Sequence, residues 1–257
     1  MKKLISLALI MMAMMLFQTG CGDSTPVNLS IGAASSLTDA LTEINALYTG
    51  HNQTVTITPN FAASGTLQTQ IENGGPVDVF ISAAAKQMNN LSQKSLIVED
   101  TRKNLLNNRI VLIVPKDSSL NITSFTDLAD DRVKKIALGD PQYVPAGGYG
   151  QEAFDELGIT AQVQPKLVLG SDVKGVLAYV ESGNVDAGIV YSTDALSSDK
   201  VKVVAGAPDD INAKVVYPVA VIKASASQDA AREYIDFLFT TEAAAVFEKY
   251  GFTVASE

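Results

Sequence analysis

The sequence predicts an α/β protein of two lobes, and three observations carry that prediction. Behind a short apolar leader, brief β-branched runs alternate with helix-period segments to the end of the 257-residue chain, the pattern of strands and helices wound into mainly parallel sheets. Two runs, Arg109-Ile-Val-Leu-Ile-Val-Pro115 and Lys214-Val-Val-Tyr-Pro-Val-Ala-Val-Ile222, bracket a self-contained α/β stretch, so they read as strands on which the chain crosses between lobes. The remainder behind the leader is long enough for two small domains. Lobe 1 is therefore expected over residues 27–110 with 218–257, and lobe 2 over residues 111–217, with a cleft between them.

Taken in order, the first element is an export signal over residues 1–20. Lys2 and Lys3 form a basic start, and residues 4–17 form an uncharged apolar run too short for the ~20 residues of a membrane-spanning helix. Its end, Phe17-Gln18-Thr19-Gly20-Cys21, resembles a lipobox, which implies that Cys21 becomes the lipidated first residue of an exported protein on a stalk at 21–26. Cys21 is the only cysteine, so no intrachain disulfide accounts for it. Stable attachment then needs at least two acyl chains. Strands are expected at 28–33, 54–58, 77–82, 110–115, 135–138, 166–169, 187–191 and 215–222. Helices are expected at 37–48, 66–72, 84–92, 146–157, 173–181 and 228–250, the last broken near Thr240-Thr241.

Composition excludes several functions. The leader holds two lysines and no acid, so the formal charge of −9 becomes −11 behind it. Nucleic acid is not an expected partner, because phosphate binding needs a basic face that displaces counterions. A small anion is compatible with an acidic protein, since distant charges are screened within ~8 Å at physiological salt. His51 is the only histidine and reads as an exposed turn residue, there is no tryptophan, and one histidine with one cysteine cannot build a zinc site. G-x-S-x-G, Walker and G-x-G-x-x-G motifs are absent, and the glycine-rich stretch at 146–150 lacks the P-loop lysine. The chain therefore reads as a non-enzyme that needs no cofactor.

What recurs is a strand that ends in small polar residues and runs straight into a helix. Ser36 stands at an N-cap position with Asp39 three residues on, and Ser64-Gly65 opens the next helix. Pro145 fits a first helical turn that exposes the amides of Ala146 and Gly147, and Ser171 or Asp172 caps the helix that starts at Val173. Helix N-termini present unpaired N–H groups and a partial positive charge, so several converging on one cleft make an anion site without lysine or arginine.

At these residues the sequence resembles the periplasmic molybdate-binding proteins of ABC importers, in the type II periplasmic-binding superfamily. The resemblance lies in Ala33-Ala-Ser-Ser-Leu-Thr38, Phe61-Ala-Ala-Ser-Gly-Thr-Leu67, Asp78-Val-Phe-Ile-Ser-Ala83, Gly139-Asp-Pro-Gln-Tyr-Val-Pro-Ala-Gly147, Gly188-Ile-Val-Tyr-Ser192, Tyr217-Pro-Val-Ala220 and Tyr250-Gly-Phe252. It implies a monomeric two-lobed protein, periplasmic or at the cell surface. It implies that Ser36, Ser64, Ala146, Val173 and Tyr191 hold molybdate or tungstate, with molybdenum bound only as the oxyanion, for delivery to an ABC permease. The alternatives are another tetrahedral oxyanion such as sulfate, or an extracytoplasmic enzyme on a similar scaffold. Asp140 and Asp172 are the carboxylates close enough to the motifs to bear on phosphate.

Overall fold

Parallel pairing sets where the strands end. The computed structural model describes residues 26–255, so the export signal and Cys21 lie outside the described residues. Strand β1 (Val27–Ala34) pairs with β2 (Val55–Ala62), Ala34 facing Ala62, and with β3 (Val79–Ile81), Ala33 facing Ile81. Their carboxyl ends thus lie level. Each opens into helical structure: a 3-10 turn (Ser35–Leu37) and α1 (Thr38–His51) after β1, α2 (Ser64–Glu72) after β2, and α3 (Ala85–Gln93) after β3. With β4 (Lys103–Asn107), β10 (Val216–Val221) and β11 (Thr253–Val254) they form a six-stranded sheet in the order β11-β4-β10-β3-β1-β2.

The second sheet takes β5 (Ile110–Pro115), β6 (Ile136–Gly139), β7 (Leu167–Gly170), β8 (Ala187–Tyr191) and β9 (Val201–Gly206) in the order β7-β6-β8-β5-β9. β6 runs parallel to β7 and β8, with Gly139 facing Gly170. From these ends the chain enters α4 (Pro145–Glu156), then a short α5 (Thr160–Val163), α6 (Val173–Glu181) and α7 (Ser192–Leu196).

The sheets are mixed, which corrects the expectation of mainly parallel ones. β5 and β10 lie antiparallel to both of their neighbours, and β11 to β4. β5 and β10 are the strands on which the chain enters one sheet from the other, rather than by the long crossover that joins parallel neighbours. The chain reaches β5 from β4 through Asn108-Arg109 alone, and returns to β10 through 207–215, which holds the short α8 (Asp209–Asn212). β5 and β10 each pair within one sheet, and the limits drawn at 110/111 and 217/218 fall just inside them. The expected helix at 228–250 is two, α9 (Gln228–Leu238) and α10 (Thr241–Lys249), because the Thr240 hydroxyl accepts from the Ala243 N–H and caps the second.

Between the sheets, Tyr217 on β10 meets Tyr191 on β8 edge-on, ring centres 5.5 Å apart, and Phe252 at 5.6 Å. Both tyrosines are almost completely buried. This aromatic contact joins the two units beside the strand ends.

Candidate functional site

The strand ends of the two sheets face each other across a cavity of about 10 Å³. Its lining combines Ser35, Ser36, Ser64, Pro145, Val173 and Tyr191 with small apolar residues and contains no charged side chain. Such a volume is close to the ~10–15 Å³ that admits one water, and far below the ~300–1,000 Å³ of pockets for drug-sized ligands.

Four of the five residues picked out in the sequence line this cavity. Ser36 lies within the 3-10 turn and caps nothing, which corrects its placing at an N-cap: the turn comes before the helix, and the N-cap of α1 is Leu37. Its hydroxyl lies 2.9 Å from that of Tyr217. Ser64 is the first residue of α2 and is fully buried, and its Oγ accepts from the Ala83 N–H at 2.9 Å. A serine oxygen that accepts from a backbone amide keeps its own proton to give.

Val173 opens α6, capped by Asp172, whose carboxylate accepts from the Gly175 N–H at 2.9 Å. Tyr191 ends β8 and donates its single O–H to the Ala83 carbonyl at 3.0 Å. Ala146 is fully buried as the second residue of α4, and its neighbours Val144 and Pro145 line the cavity in its place. The first amides of a helix have no intrahelical carbonyl to bond. The positive ends of α2, α4 and α6 thus converge on one uncharged space.

Contacts across the cleft hold the two faces together. Besides the bond from Tyr191 to Ala83, the Gly65 N–H donates to the Tyr143 carbonyl at 2.9 Å, and Lys174 pairs with Asp39 at 2.7 Å. Burial pushes the hydroxyls of Tyr191 and Tyr217 well above the ordinary phenol range, so both stay protonated. Asp194 accepts the Tyr191 N–H at 3.2 Å, and burial raises its carboxyl to about 7 against the opposing pull of Lys174. Its Oδ1 finds no partner among the described residues.

Sequence reasoning missed Ala83, Tyr143, Asn108 and Tyr217 as parts of the site. Ala83 and Tyr143 act through main-chain atoms, which no side-chain pattern reveals, and Tyr217 was marked only by its place in a motif. His51 ends α1 in the open, its ring 3.1 Å from Glu242. Asp140 and Asp172 are not among the lining residues, and both carboxylates accept from nearby backbone amides. Among the described residues, no group of three or more His, Cys, Asp or Glu is placed to hold a metal ion.

Two α/β units meeting at level strand ends, with a small donor-lined cavity between, define a solute-binding protein of the type II periplasmic-binding fold. Residues 29–253 match the family model of the bacterial extracellular solute-binding proteins, and the chain belongs to that family. It is 44% identical over 236 residues to YvgL of Bacillus subtilis, named as an ABC transporter substrate-binding lipoprotein, covering 92% of this chain and 90% of that one. It is 38% identical over 244 residues to the molybdate-binding protein ModA of Haemophilus influenzae, covering 94% of this chain and 96% of that one. The solved periplasmic molybdate-binding protein of Azotobacter vinelandii shares the fold, with a TM-score of 0.79 at 20% identity over 89% of this chain and 100% of that one. No helix among the described residues is long and apolar enough to cross a membrane.

Proposed function

We propose that this exported protein captures molybdate, and tungstate with it, and delivers the ion to the permease of an ABC importer while anchored through a lipidated Cys21. One observation carries the reading: helix starts from both sheets and two serine hydroxyls converge on a small cavity without a charged side chain. An anion there meets donors. Hydrogen bonds to a charged group contribute ~1.5–3 kcal/mol each, and a micromolar dissociation constant needs only ~8 kcal/mol. The proposed ligands are the hydroxyls of Ser36, Ser64 and Tyr191 and the amides of Ala146 and Val173. Tyr191 must turn its proton from the Ala83 carbonyl to the ion, and Ala146 must reach it past Pro145. Similarity to ModA favours molybdate among the tetrahedral oxyanions. Hydrogen phosphate fits worse, because its O–H finds no carboxylate in the lining.

Parallel calorimetric titrations of the exported chain with molybdate, tungstate, sulfate and phosphate test this. Molybdate and tungstate, near-equal in size and charge, are expected to bind alike. Sulfate, too small to reach donors on both faces at once, should bind about a hundredfold more weakly if two contacts are lost. Displacement of molybdate by sulfate at equal concentration would replace the present reading with a sulfate-binding one.

A further inference from the structure

We propose that Tyr217 and Asn108 are positioning residues that fix the direction of the Ser36 proton, so that this serine meets the anion as a donor. The inference rests on the reading of Ser36 as a ligand. It starts at Asn108, in the link between β4 and β5. The Asn108 Oδ1 accepts from the Arg109 N–H at 2.8 Å and from the Ser192 hydroxyl at 2.9 Å. A backbone N–H can only donate, so it settles which end of the amide is oxygen and leaves Nδ2 as the donor end. That nitrogen lies 3.2 Å from the Tyr217 hydroxyl and 2.9 Å from the Thr193 Oγ1.

Tyr217 is fully buried, and its hydroxyl makes two hydrogen bonds among the described residues, with Asn108 Nδ2 and Ser36 Oγ, while the neighbouring Tyr191 hydroxyl gives its proton to the Ala83 carbonyl. The amide nitrogen cannot accept. A buried O–H takes the acceptor within its reach, so Tyr217 donates to Ser36. The Ser36 oxygen then accepts that hydrogen bond and directs its own proton away from Tyr217, into the cavity that the serine lines. Without this relay the serine has a second state in which its proton points back at Tyr217 and a lone pair faces the anion. Each link also polarises the next. Asn108 binds Ser192 and Thr193 as well, the two residues that follow Tyr191. One amide therefore sets the serine of the first face and braces the tyrosine of the second.

The test is a double-mutant cycle read by molybdate titration and melting temperature on Ser36→Ala, Tyr217→Phe and the pair combined. Tyr217→Phe keeps the ring against Tyr191 and Phe252. Each single change is expected to weaken molybdate binding about tenfold or more, and the pair no further than Ser36→Ala alone, because Tyr217 acts through that hydroxyl. Asn108→Asp, which offers Tyr217 an acceptor and draws its proton away from Ser36, should weaken binding more than Tyr217→Phe, and it serves as the second probe if Tyr217→Phe does not fold. Unchanged affinity in Tyr217→Phe with a lowered melting temperature, or full additivity in the pair, overturns the relay. Unchanged affinity in Ser36→Ala overturns the ligand role of Ser36 and the relay with it, whereas failure of the unaltered chain to bind molybdate overturns the proposed function itself.

Discussion

The two faces of the cavity supply donors by different means. The first sheet offers side-chain hydroxyls with a partner behind each: Tyr217 behind Ser36 and the Ala83 N–H behind Ser64. The second offers main-chain amides at the first turns of α4 and α6, and a tyrosine whose proton already serves Ala83. A hydroxyl can point its proton either way, so the first face depends on the residues that orient it. An amide is aimed by the helix that contains it, so the second face depends on where the helices start. The same chemistry thus rests on hydrogen-bond direction on one side and on backbone placement on the other.

The largest expected effect comes from keeping the faces apart. A Cβ on Gly65 would lie 2.7 Å from the Cα and from the carbonyl oxygen of Tyr143, closer than real Cβ contacts come. Gly65→Ala should therefore hold the cleft ajar and remove the donors of the second face together, weakening molybdate about a hundredfold or more. The fold should survive, because opening relieves the clash. Small-angle scattering at high molybdate concentration should give a larger radius of gyration for this variant than for the unaltered protein. Equal radii and equal affinities would show that the second face contributes no contact that needs closure.

Removing one donor from each face sharpens the comparison. Ser64→Ala and Val173→Pro each delete one bond to the ion, worth ~1.5–3 kcal/mol, so affinity should fall roughly 10- to 150-fold in both. Stability should separate them. Ser64→Ala strands the buried Ala83 N–H at a cost of ~1–3 kcal/mol. Val173→Pro places proline at the first position of α6, where no intrahelical bond is lost, after an Asp172 that is already extended. Its cost should be limited to about 1 kcal/mol of lost side-chain packing. Matched falls in melting temperature would mean that the amide face is no more autonomous than the hydroxyl face.

The same difference explains what the sequence disclosed. Ser36, Ser64 and Val173 were legible because each stands where a strand run gives way to a helix or turn, and parallel register brings those junctions together, whereas Tyr191 was legible only through the family resemblance. Partners behind the donors were not. Asn108 reads as a polar residue between strands, and its four contacts depend on how the sheets meet. Strand direction was illegible for a related reason, since a buried apolar run looks alike in either orientation. β4 carries only the adjacent pair Leu105-Leu106 among polar residues, and β9 is an edge strand whose side chains are mostly outside the core, so neither showed a strand's alternation.

The smallest expected effect lies at the rim, where Lys174 of the second face meets Asp39 of the first with side chains 30% and 47% exposed. A pair so open to water contributes only ~0–1 kcal/mol to holding the faces together. Its effect on an anion arriving at the cleft is electrostatic and has a sign. Lys174→Ala leaves the Asp39 charge uncompensated beside the entrance and should weaken molybdate a few-fold at low salt, whereas Asp39→Ala frees the ammonium and should strengthen it by a similar factor. Both shifts should shrink as salt rises from 0.1 M to 1 M, because the screening length falls from ~10 Å to ~3 Å. Titrations of the two variants at both salt concentrations decide between a charge effect and a latch. If both substitutions weaken binding, and salt changes neither, the pair acts by tying the faces together, and the closing contacts extend from the donor ring out to the rim.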